Sequence, residues 1–458
     1  MEKNRSSFTG KLGFVLAAAG SAVGLGNLWR FPYLAAQHGG GVFLLVYLIL
    51  SVTFGFSLMI AEIAIGRKTG LSAIGAFQKI NKKYSFIGYL VAIVPALILP
   101  YYSVIGGWVI KYFTVFTTGN ASAAATDGYF EGFIGNTWQA LLFFTIFMGA
   151  TALVVFFGVE KGIEKVSKIL MPVLVVLSVG IAAFVCISNA VRGEWEGILY
   201  YIKPDFSNFS IMTVVAAMGQ LFYSMSLAMG IMITYGSYMK KEVNLESSAH
   251  QIEFFDMGVA FLAGLMIVPS VVSYSGIEGL NKGPGLMFVT LPKVFNEMGD
   301  VVGNIIGTIF FVLVMFAALT SSISLMETVV SIIQDKFHIE RKTTCFIVLI
   351  GSLIIGIPSA LGFGVWSGVT PLGMDILSFF DFATNSVLMP VVAILTCIVV
   401  CYVMKPKAVI DEVSLTGEFK LAKLFKVMIY VAPILLLVIL VFAIFEAFGI
   451  TFGGFLKF

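Results

Sequence analysis

Eleven long apolar runs set the terms on which this chain can fold. Each approaches or exceeds the roughly 20 residues that a helix needs to cross a bilayer. They centre on Lys11–Gln37, Val42–Ile65, Phe86–Ile110, Trp138–Val159, Ile169–Val191, Ile211–Met239, Phe254–Ser273, Val301–Ile333, Cys345–Trp366, Ile376–Met404 and Leu424–Ile450. The 458 residues are 59% hydrophobic and 12% charged, with a mean hydropathy of +0.99. That charge content is about half the soluble norm, and no soluble core hides so much apolar surface. The expectation is an all-α polytopic membrane protein, with residues 1–458 forming one integral domain. Connections are mostly short, so no separate soluble domain is expected. A net charge of +3 gives no reason to expect a nucleic-acid partner. The first run has no A-x-A-like end, so no cleavable signal peptide is expected.

Lys and Arg decide the orientation. An inside N-terminus collects Lys3, Arg5 and Lys11, then Arg67, Lys68, Lys79, Lys82 and Lys83. It also collects Lys161, Lys165, Lys168, Lys240, Lys241, Lys336, Arg341 and Lys342, and finally Lys405, Lys407, Lys420, Lys423 and Lys426. That is 21 of the 28 basic residues. The N-terminus is therefore expected in the cytoplasm. An odd number of spans then puts the C-terminus outside.

The first run is uncharged from Leu12 to Trp29, yet it contains Gly20, Gly24, Gly26 and Asn27 and reaches Arg30. Irregular backbone at membrane depth is tolerated only where protein buries it or a cavity needs it. An Arg in a span usually faces a partner or a polar pathway. This segment reads as a helix broken around a site. The sixth run repeats the pattern with Phe222-Tyr223-Ser224-Met225-Ser226-Leu227-Ala228-Met229-Gly230. The plain alternative is that small residues serve close helix packing. Two interruptions five spans apart favour a carrier, because an odd offset inverts the second half relative to the first.

Other polar residues lie within runs. Asp256 is about 12 residues beyond Asn244, roughly 18 Å into its span, where an unpaired carboxylate is costly. It calls for a cation, a proton or a basic partner. Asp381 lies in the outer part of span ten and Arg30 in the outer half of span one. The two could close the outside of a site or simply tie helices together. Span eight carries Thr320-Ser321-Ser322. Such hydroxyls ordinarily bond back to the preceding turn; the functional reading is that Thr320 and Ser321 hold a small hard cation. Glu62 and Glu327 read as structural or gating groups, and Glu446 as interfacial. Cys186, Cys345, Cys397 and Cys401 read as buried thiols. His38, His250 and His338 have no metal-ligand spacing.

Taken together, the residues resemble a known family. Gly20-Ser21-Ala22-Val23-Gly24-Leu25-Gly26-Asn27-Leu28-Trp29-Arg30-Phe31-Pro32-Tyr33 is similar to the first-helix signature of the neurotransmitter:sodium symporters. Gly39-Gly40-Gly41, Ala61–Arg67, Tyr101-Tyr102, the span-six break, Leu319–Ser322 and Phe380-Asp381-Phe382 extend the likeness over nearly the whole chain. Eleven spans resemble the bacterial amino-acid branch. The resemblance implies the leucine-transporter fold, in which helices 1 and 6 are broken mid-membrane. It has two inverted five-span repeats (about 11–191 and 211–404) and an extra helix (about 424–450). It also implies a bacterial inner membrane, and a monomer or weak homodimer.

Two Na+ sites are implied. One would use the Ala22 carbonyl with Asn27, Ser224, Asp256 and the substrate carboxylate. The other would use the carbonyls of Gly20, Val23 and Ala317 with the Thr320 and Ser321 hydroxyls. The substrate amino acid would lie between the breaks, against Ser21, Ala22, Leu25, Gly26, Ile98, Tyr102, Phe222, Tyr223, Ser224, Ser226, Met229, Ser322 and Leu325. Its carboxylate would meet span-one N–H groups, as anions do at helix N-termini, together with the Tyr102 hydroxyl. Arg30 and Asp381 would form the outer gate above Tyr102 and Tyr223. Arg5, Asp335 and Tyr238 would form the inner gate, with Phe8 in place of the family's Trp.

Departures from the family sharpen the expectation. Monoamine carriers place an Asp at the first break, where this chain has Gly24, so the substrate should bring its own carboxylate. Chloride-dependent members have Asn where this chain has Asp256. A fixed carboxylate there supplies the negative charge, so no chloride requirement is expected. No charged side chain faces the substrate's own side chain, which excludes cationic and acidic amino acids. Ala228 puts a methyl where relatives have Gly. Leucine, isoleucine, valine or methionine is the first expectation. Aromatic amino acids are the second, because Met229 is adaptable. A proton-coupled carrier of the same fold is the alternative mechanism. Short tails argue against a sensor, clustered polar groups argue against a channel, and the lack of any nucleophile–base or metal set argues against an enzyme.

Overall fold

The computed structural model describes residues 7–276 and 284–447. Arg5, and the end of the last predicted run beyond residue 447, lie outside the described residues. Among them there is no β-strand, only one antiparallel bridge between Gly40 and Pro204. Among the described residues, nine helices are long and apolar enough to cross a membrane. They are Gly41–Thr69, Lys82–Thr117, Thr137–Phe156, Val159–Arg192, Leu245–Tyr274, Asp300–Phe337, Arg341–Leu361, Ile376–Met404 and Ala422–Phe445. A tenth candidate is the bent pair Lys11–Ala22 and Gly26–Gln37, turned by 49° at its break. The predicted sixth run is two shorter helices, Ile211–Ser224 and Ile231–Tyr238. Span numbers below follow the order of the predicted runs.

The helices outrun the predicted spans mostly at their polar ends. Span seven begins at Leu245 because the Asn244 side chain accepts the Ser247 N–H at 2.8 Å, satisfying an otherwise orphaned donor. The upper half of span six starts on a Ser210/Thr213 capping box. Outward faces carry Val176, Ile187, Phe254 and Ile434, all more than half exposed. In water such a belt would drive association; against lipid tails it is ordinary.

The two breaks are built differently. In span one Val23 leaves the helix with φ −75° and ψ 99°, and its N–H still bonds Ala19. The chain then restarts as a wide π turn over Gly26–Arg30, and Pro32 stands in the first turn of Phe31–Gln37, where its missing N–H is harmless. In span six, Ser226 (φ +53°), Ala228 (φ +59°) and Gly230 (φ +72°) are left-handed. A left-handed non-glycine residue costs about 1–2 kcal/mol, so surrounding contacts must hold this turn. One of them is Glu62, whose Oε1 accepts the Ala228 N–H at 2.7 Å.

The lower half of span six lies directly on span two. A Cβ added at Gly66 would come within 1.9 Å of the Ile233 carbonyl oxygen, and one at Gly236 within 2.4 Å of the Ile63 oxygen. Small residues that let backbones touch are a regular device for packing helices in lipid. The two longest helices, spans three and eight, also lie against each other.

Candidate functional site

A cavity of about 30 Å³ lies where the two breaks face each other. By volume it is room for a water or two, so a bound amino acid must widen it. Of the expected substrate residues, Ser21, Ala22, Leu25, Gly26, Ile98, Tyr102, Tyr223, Ser224, Ser226, Met229 and Leu325 line it. Gly24, Asn27, Ile231 and Ser321 line it as well. Phe222 and Ser322 do not. Phe222 packs against the Phe54 ring and borders a second cavity on the Arg30 side. Ser322 sits one residue, about 100° of helix rotation, past Ser321. Its hydroxyl instead contacts that of Thr151 at 2.7 Å and bonds back to the Leu319 carbonyl.

Both glycines of span one sit where a side chain has no room. A Cβ on Gly24 would stand 2.7 Å from the Ser321 hydroxyl oxygen, and one on Gly26 2.4 Å from the Tyr223 ring. The breaks are also joined directly. Ser226 Oγ donates to the Ser21 carbonyl at 3.0 Å and lies 3.1 Å from the Ser21 hydroxyl. The Leu25 N–H donates to the Tyr102 hydroxyl at 3.3 Å, and Gln220 donates to the Gly26 carbonyl at 3.0 Å.

Asp256 is wholly buried beside this cavity. Its Oδ1 accepts from Asn27 Nδ2 at 2.8 Å, and the Ser224 hydroxyl lies 2.6 and 2.7 Å from its two carboxylate oxygens. Tyr47 of span two donates to Asp256 Oδ2 at 3.2 Å and lies 3.0 Å from Ser224 Oγ. The structure thus brings Asn27, Ser224 and Asp256 together from spans one, six and seven. It adds Tyr47, which the sequence reading missed: a tyrosine in an apolar run carries no local signal of what its hydroxyl touches. No lysine or arginine contacts this carboxylate among the described residues. Its polar neighbours are the Ser224 and Tyr47 hydroxyls and the Asn27 amide; the carboxylate, the Ser224 hydroxyl and the Asn27 amide oxygen form a donor set that suits a hard monovalent cation.

A second oxygen cluster joins spans one and eight. Ser321 Oγ lies 3.0 Å from the Ser21 carbonyl oxygen and 3.4 Å from those of Gly20 and Val23. Thr320 Oγ1 lies 3.1 Å from the Ala317 carbonyl oxygen and also bonds back to Phe316. Consecutive hydroxyls therefore do different things: Thr320 bonds within its own helix, Ser322 also reaches Thr151, and Ser321 crosses to the carbonyls freed by the span-one break. Among the described residues no cluster of His, Cys, Asp and Glu could hold a transition metal.

The expected gates are only partly joined. The Arg30 guanidinium lies 5.4 Å over the Tyr223 ring, a cation–π distance. No ion pair to Asp381 forms; the Asp381 carboxylate is taken by Asn385 at 2.6 Å and Tyr101 at 3.3 Å. Arg30 and Asp381 are thus within electrostatic reach but not in direct contact: Arg30 rests on the Tyr223 ring, and the Asp381 carboxylate accepts from Asn385 and Tyr101. At the opposite end from Arg30, Asp335 accepts the Ser72 N–H and hydroxyl, and Tyr238 donates to Glu327 at 2.7 Å. Glu327 is also paired with Arg341. Phe8 is buried edge-on against Phe14, Tyr235 and Tyr238.

The family model for the sodium:neurotransmitter symporters matches residues 5–139 and 132–456. An uncharacterised sodium-dependent transporter of Haemophilus influenzae is 34% identical over 456 residues, covering 96% of this chain and 98% of that one. One of Bacillus subtilis is 36% identical over 403 residues, covering 86% and 87%. Among solved structures, MhsT in complex with L-phenylalanine superposes with a TM-score of 0.86 at 36% identity, covering 96% of this chain and all of that one. The chain belongs to the sodium:neurotransmitter symporter family and is an integral-membrane, sodium-dependent transporter, not an enzyme.

Proposed function

We propose that the protein is a sodium-coupled symporter of hydrophobic L-amino acids, working by alternating access and without chloride. The observation that carries this reading is the placement of Asp256: a buried carboxylate, with no basic partner among the described residues, bonded to Asn27 and Ser224 of a cavity whose lining is uncharged. An isolated buried charge costs several kcal/mol. Sodium at Asn27, Ser224 and Asp256, with the Ala22 carbonyl, relieves that cost and presents a positive charge to the substrate carboxylate. The carboxylate also meets the N–H groups of the span-one break, one of which, Leu25, now rests on Tyr102. A second sodium at Gly20, Val23, Ala317, Thr320 and Ser321 ties span one to span eight. Both ions are cargo, and their binding supports closure because each shell draws oxygens from more than one span.

The tight, uncharged cavity favours leucine, isoleucine, valine or methionine. A second reading, aromatic substrates, draws on the likeness to MhsT, solved with L-phenylalanine, and on Met229 in the lining. The reading includes eleven spans in two inverted repeats plus a last helix. It places the N-terminus in the cytoplasm, the C-terminus outside, and a monomer or weak homodimer in a bacterial inner membrane. The test is uptake of labelled leucine into proteoliposomes under a sodium gradient, with chloride or gluconate and with unlabelled competitors. Sodium-driven uptake that persists in gluconate is expected. Loss in gluconate overturns chloride independence, and stronger competition by tryptophan than by isoleucine overturns the aliphatic ordering.

A further inference from the structure

Span one is fastened at its start by a carboxylate that no local sequence signal marks. Glu164 of span five is 1% exposed. It ends a π turn, Val159–Glu164, that opens the span after the left-handed Gly158 (φ +88°). Single π turns of this kind recur at functional sites. Glu164 Oε2 accepts the Thr9 N–H at 2.9 Å, and Oε1 accepts the Thr9 hydroxyl. Lys168, one turn on and 40% exposed, brings its Nζ to 2.6 Å from Oε1. The carboxyl group lies against the first turn of helix Lys11–Ala22: a Cβ added at Gly13 would stand 2.3 Å from Glu164 Cδ. That helix has no side-chain cap at Gly10 and no acidic residue in its own first turn. The negative charge favoured at its positive end comes from another span instead.

Other contacts tie residues 8–11 to spans six and seven. The Phe8 N–H donates to the Tyr238 carbonyl at 3.2 Å, Lys240 Nζ lies 3.3 Å from the Thr9 carbonyl oxygen, and Lys11 Nζ lies 2.7 Å from Ser247 Oγ. Glu164 adds span five, with a buried charge and two hydrogen bonds; charge-assisted bonds are about twice as strong as neutral ones. It stands apart from Arg5, Asp335 and Tyr238, the set expected as the inner gate. Thr9 and Glu164 line a groove of about 600 Å³ together with Phe157, Glu160 and Lys161, so water reaches their contact. Gly20 is 11 residues beyond Thr9, roughly 16 Å along the same helix. There the Gly20, Ser21 and Val23 carbonyls meet Ser321. A helix released at Thr9 tilts as a body and carries those oxygens away from Ser321.

We propose that Glu164 is a positioning residue for the oxygen cluster between spans one and eight: by latching Thr9 and Gly13 to span five, it holds helix Lys11–Ala22 in the register that the cluster requires. The sodium part of this proposal rests on the symport reading above. Sodium at the cluster and the latch at Thr9 favour the same helix position, so each strengthens the other. Without the latch, fewer molecules hold the helix in place, and the apparent sodium affinity falls by that fraction. Enough sodium restores the position. A contact that merely holds the fold together has no such recovery.

The experiment uses the full chain. Hydrogen–deuterium exchange of the backbone amides of residues 8–20 is followed across a sodium titration. Sodium-driven uptake of labelled leucine or phenylalanine, whichever the wild type accumulates, is measured in proteoliposomes. Glu164→Gln is expected to speed exchange in this segment about tenfold at low sodium, as loss of a hydrogen bond to a charged group does, with protection regained at saturating sodium. The half-saturating sodium concentration for uptake should rise about fivefold. Gly13→Ala, which pushes a methyl into the carboxyl group from the other side, should give the same pair of changes. Thr9→Val keeps the backbone bond and should speed exchange only about threefold. Wild-type exchange in Glu164→Gln overturns the latch. So does faster exchange that sodium does not reverse while uptake still responds to sodium. If Glu164→Gln fails to fold, wild-type exchange and sodium dependence in Gly13→Ala overturn it. Absence of any sodium-driven uptake in the wild type refutes the symport reading instead, and faster exchange in both variants then still supports the latch itself.

Discussion

Spans one and six are both interrupted beside the same cavity, but by opposite means. Span one breaks at Val23 through ordinary extended backbone, and its glycines, Gly24 and Gly26, are needed for space: Ser321 and Tyr223 stand where their side chains would be. Span six breaks through left-handed backbone, and two of its three left-handed residues are not glycine. In one the constraint is steric and lies in the neighbours; in the other it is conformational and lies in the chain. Similar strings of small residues therefore answer to different physics.

The largest effect should come from the carboxylate that both breaks share. Asp256→Asn keeps the shape and removes the charge. Sodium-driven uptake at low sodium is expected to fall by about 100-fold, since disrupting a buried charged cluster costs roughly 3 kcal/mol or more; a sodium titration of uptake checks it. Next come the steric glycines. Gly24→Ala and Gly26→Ala should each lower uptake more than about tenfold with the protein still folded, because the collision falls on atoms of the site. Equal uptake by wild type and either variant would refute a purely spatial role.

A smaller contrast lies within span eight. Ser321→Ala removes an oxygen shared with span-one carbonyls and should raise the half-saturating sodium concentration about fivefold, in line with one lost hydrogen-bond-strength contact. Ser322→Ala should leave sodium dependence alone and cost roughly 1 kcal/mol of thermal stability through the lost Thr151 contact. Ala228→Gly should do the reverse of the span-one changes: stabilise by about 0.5–1 kcal/mol by relieving a left-handed alanine. A destabilised Ala228→Gly would erase the distinction between the two breaks.

The smallest effect lies at an exposed surface pair. Lys293 Nζ lies 2.5 Å from Asp127 Oδ1 and holds that exposed carboxyl below its usual range. A lowered folded-state value means the stabilisation is present above the unfolded value and is lost as pH falls through the folded one. Asp127→Asn should flatten a slight acid-side decline in melting temperature and change uptake little.

Much of the site was legible because its signals were local. Glycines in an apolar run marked the first break, Asp256 stood out by depth, and Thr320-Ser321 by spacing. What escaped depends on tertiary placement. Tyr47 reaches Asp256 from a different span, and Gln220 reaches the Gly26 carbonyl. Glu253 was visible three residues before Asp256, yet only packing shows it buried beside His250. Ser322 was carried along with its neighbours when helix rotation alone turns it away. The sixth run was read as a span broken at 222–230, and helix is missing there between Ser224 and Ile231.

The backbone-to-backbone seat of Ile231–Tyr238 on span two has a mechanical consequence. With Gly66 against Ile233 and Gly236 against Ile63, no side chains intervene to act as bearings. Sliding one helix past the other would drive carbonyls into alpha carbons. The lower half of span six and span two must therefore swing as one lever. The left-handed turn at 226–230 separates this packed pair from the upper half of span six.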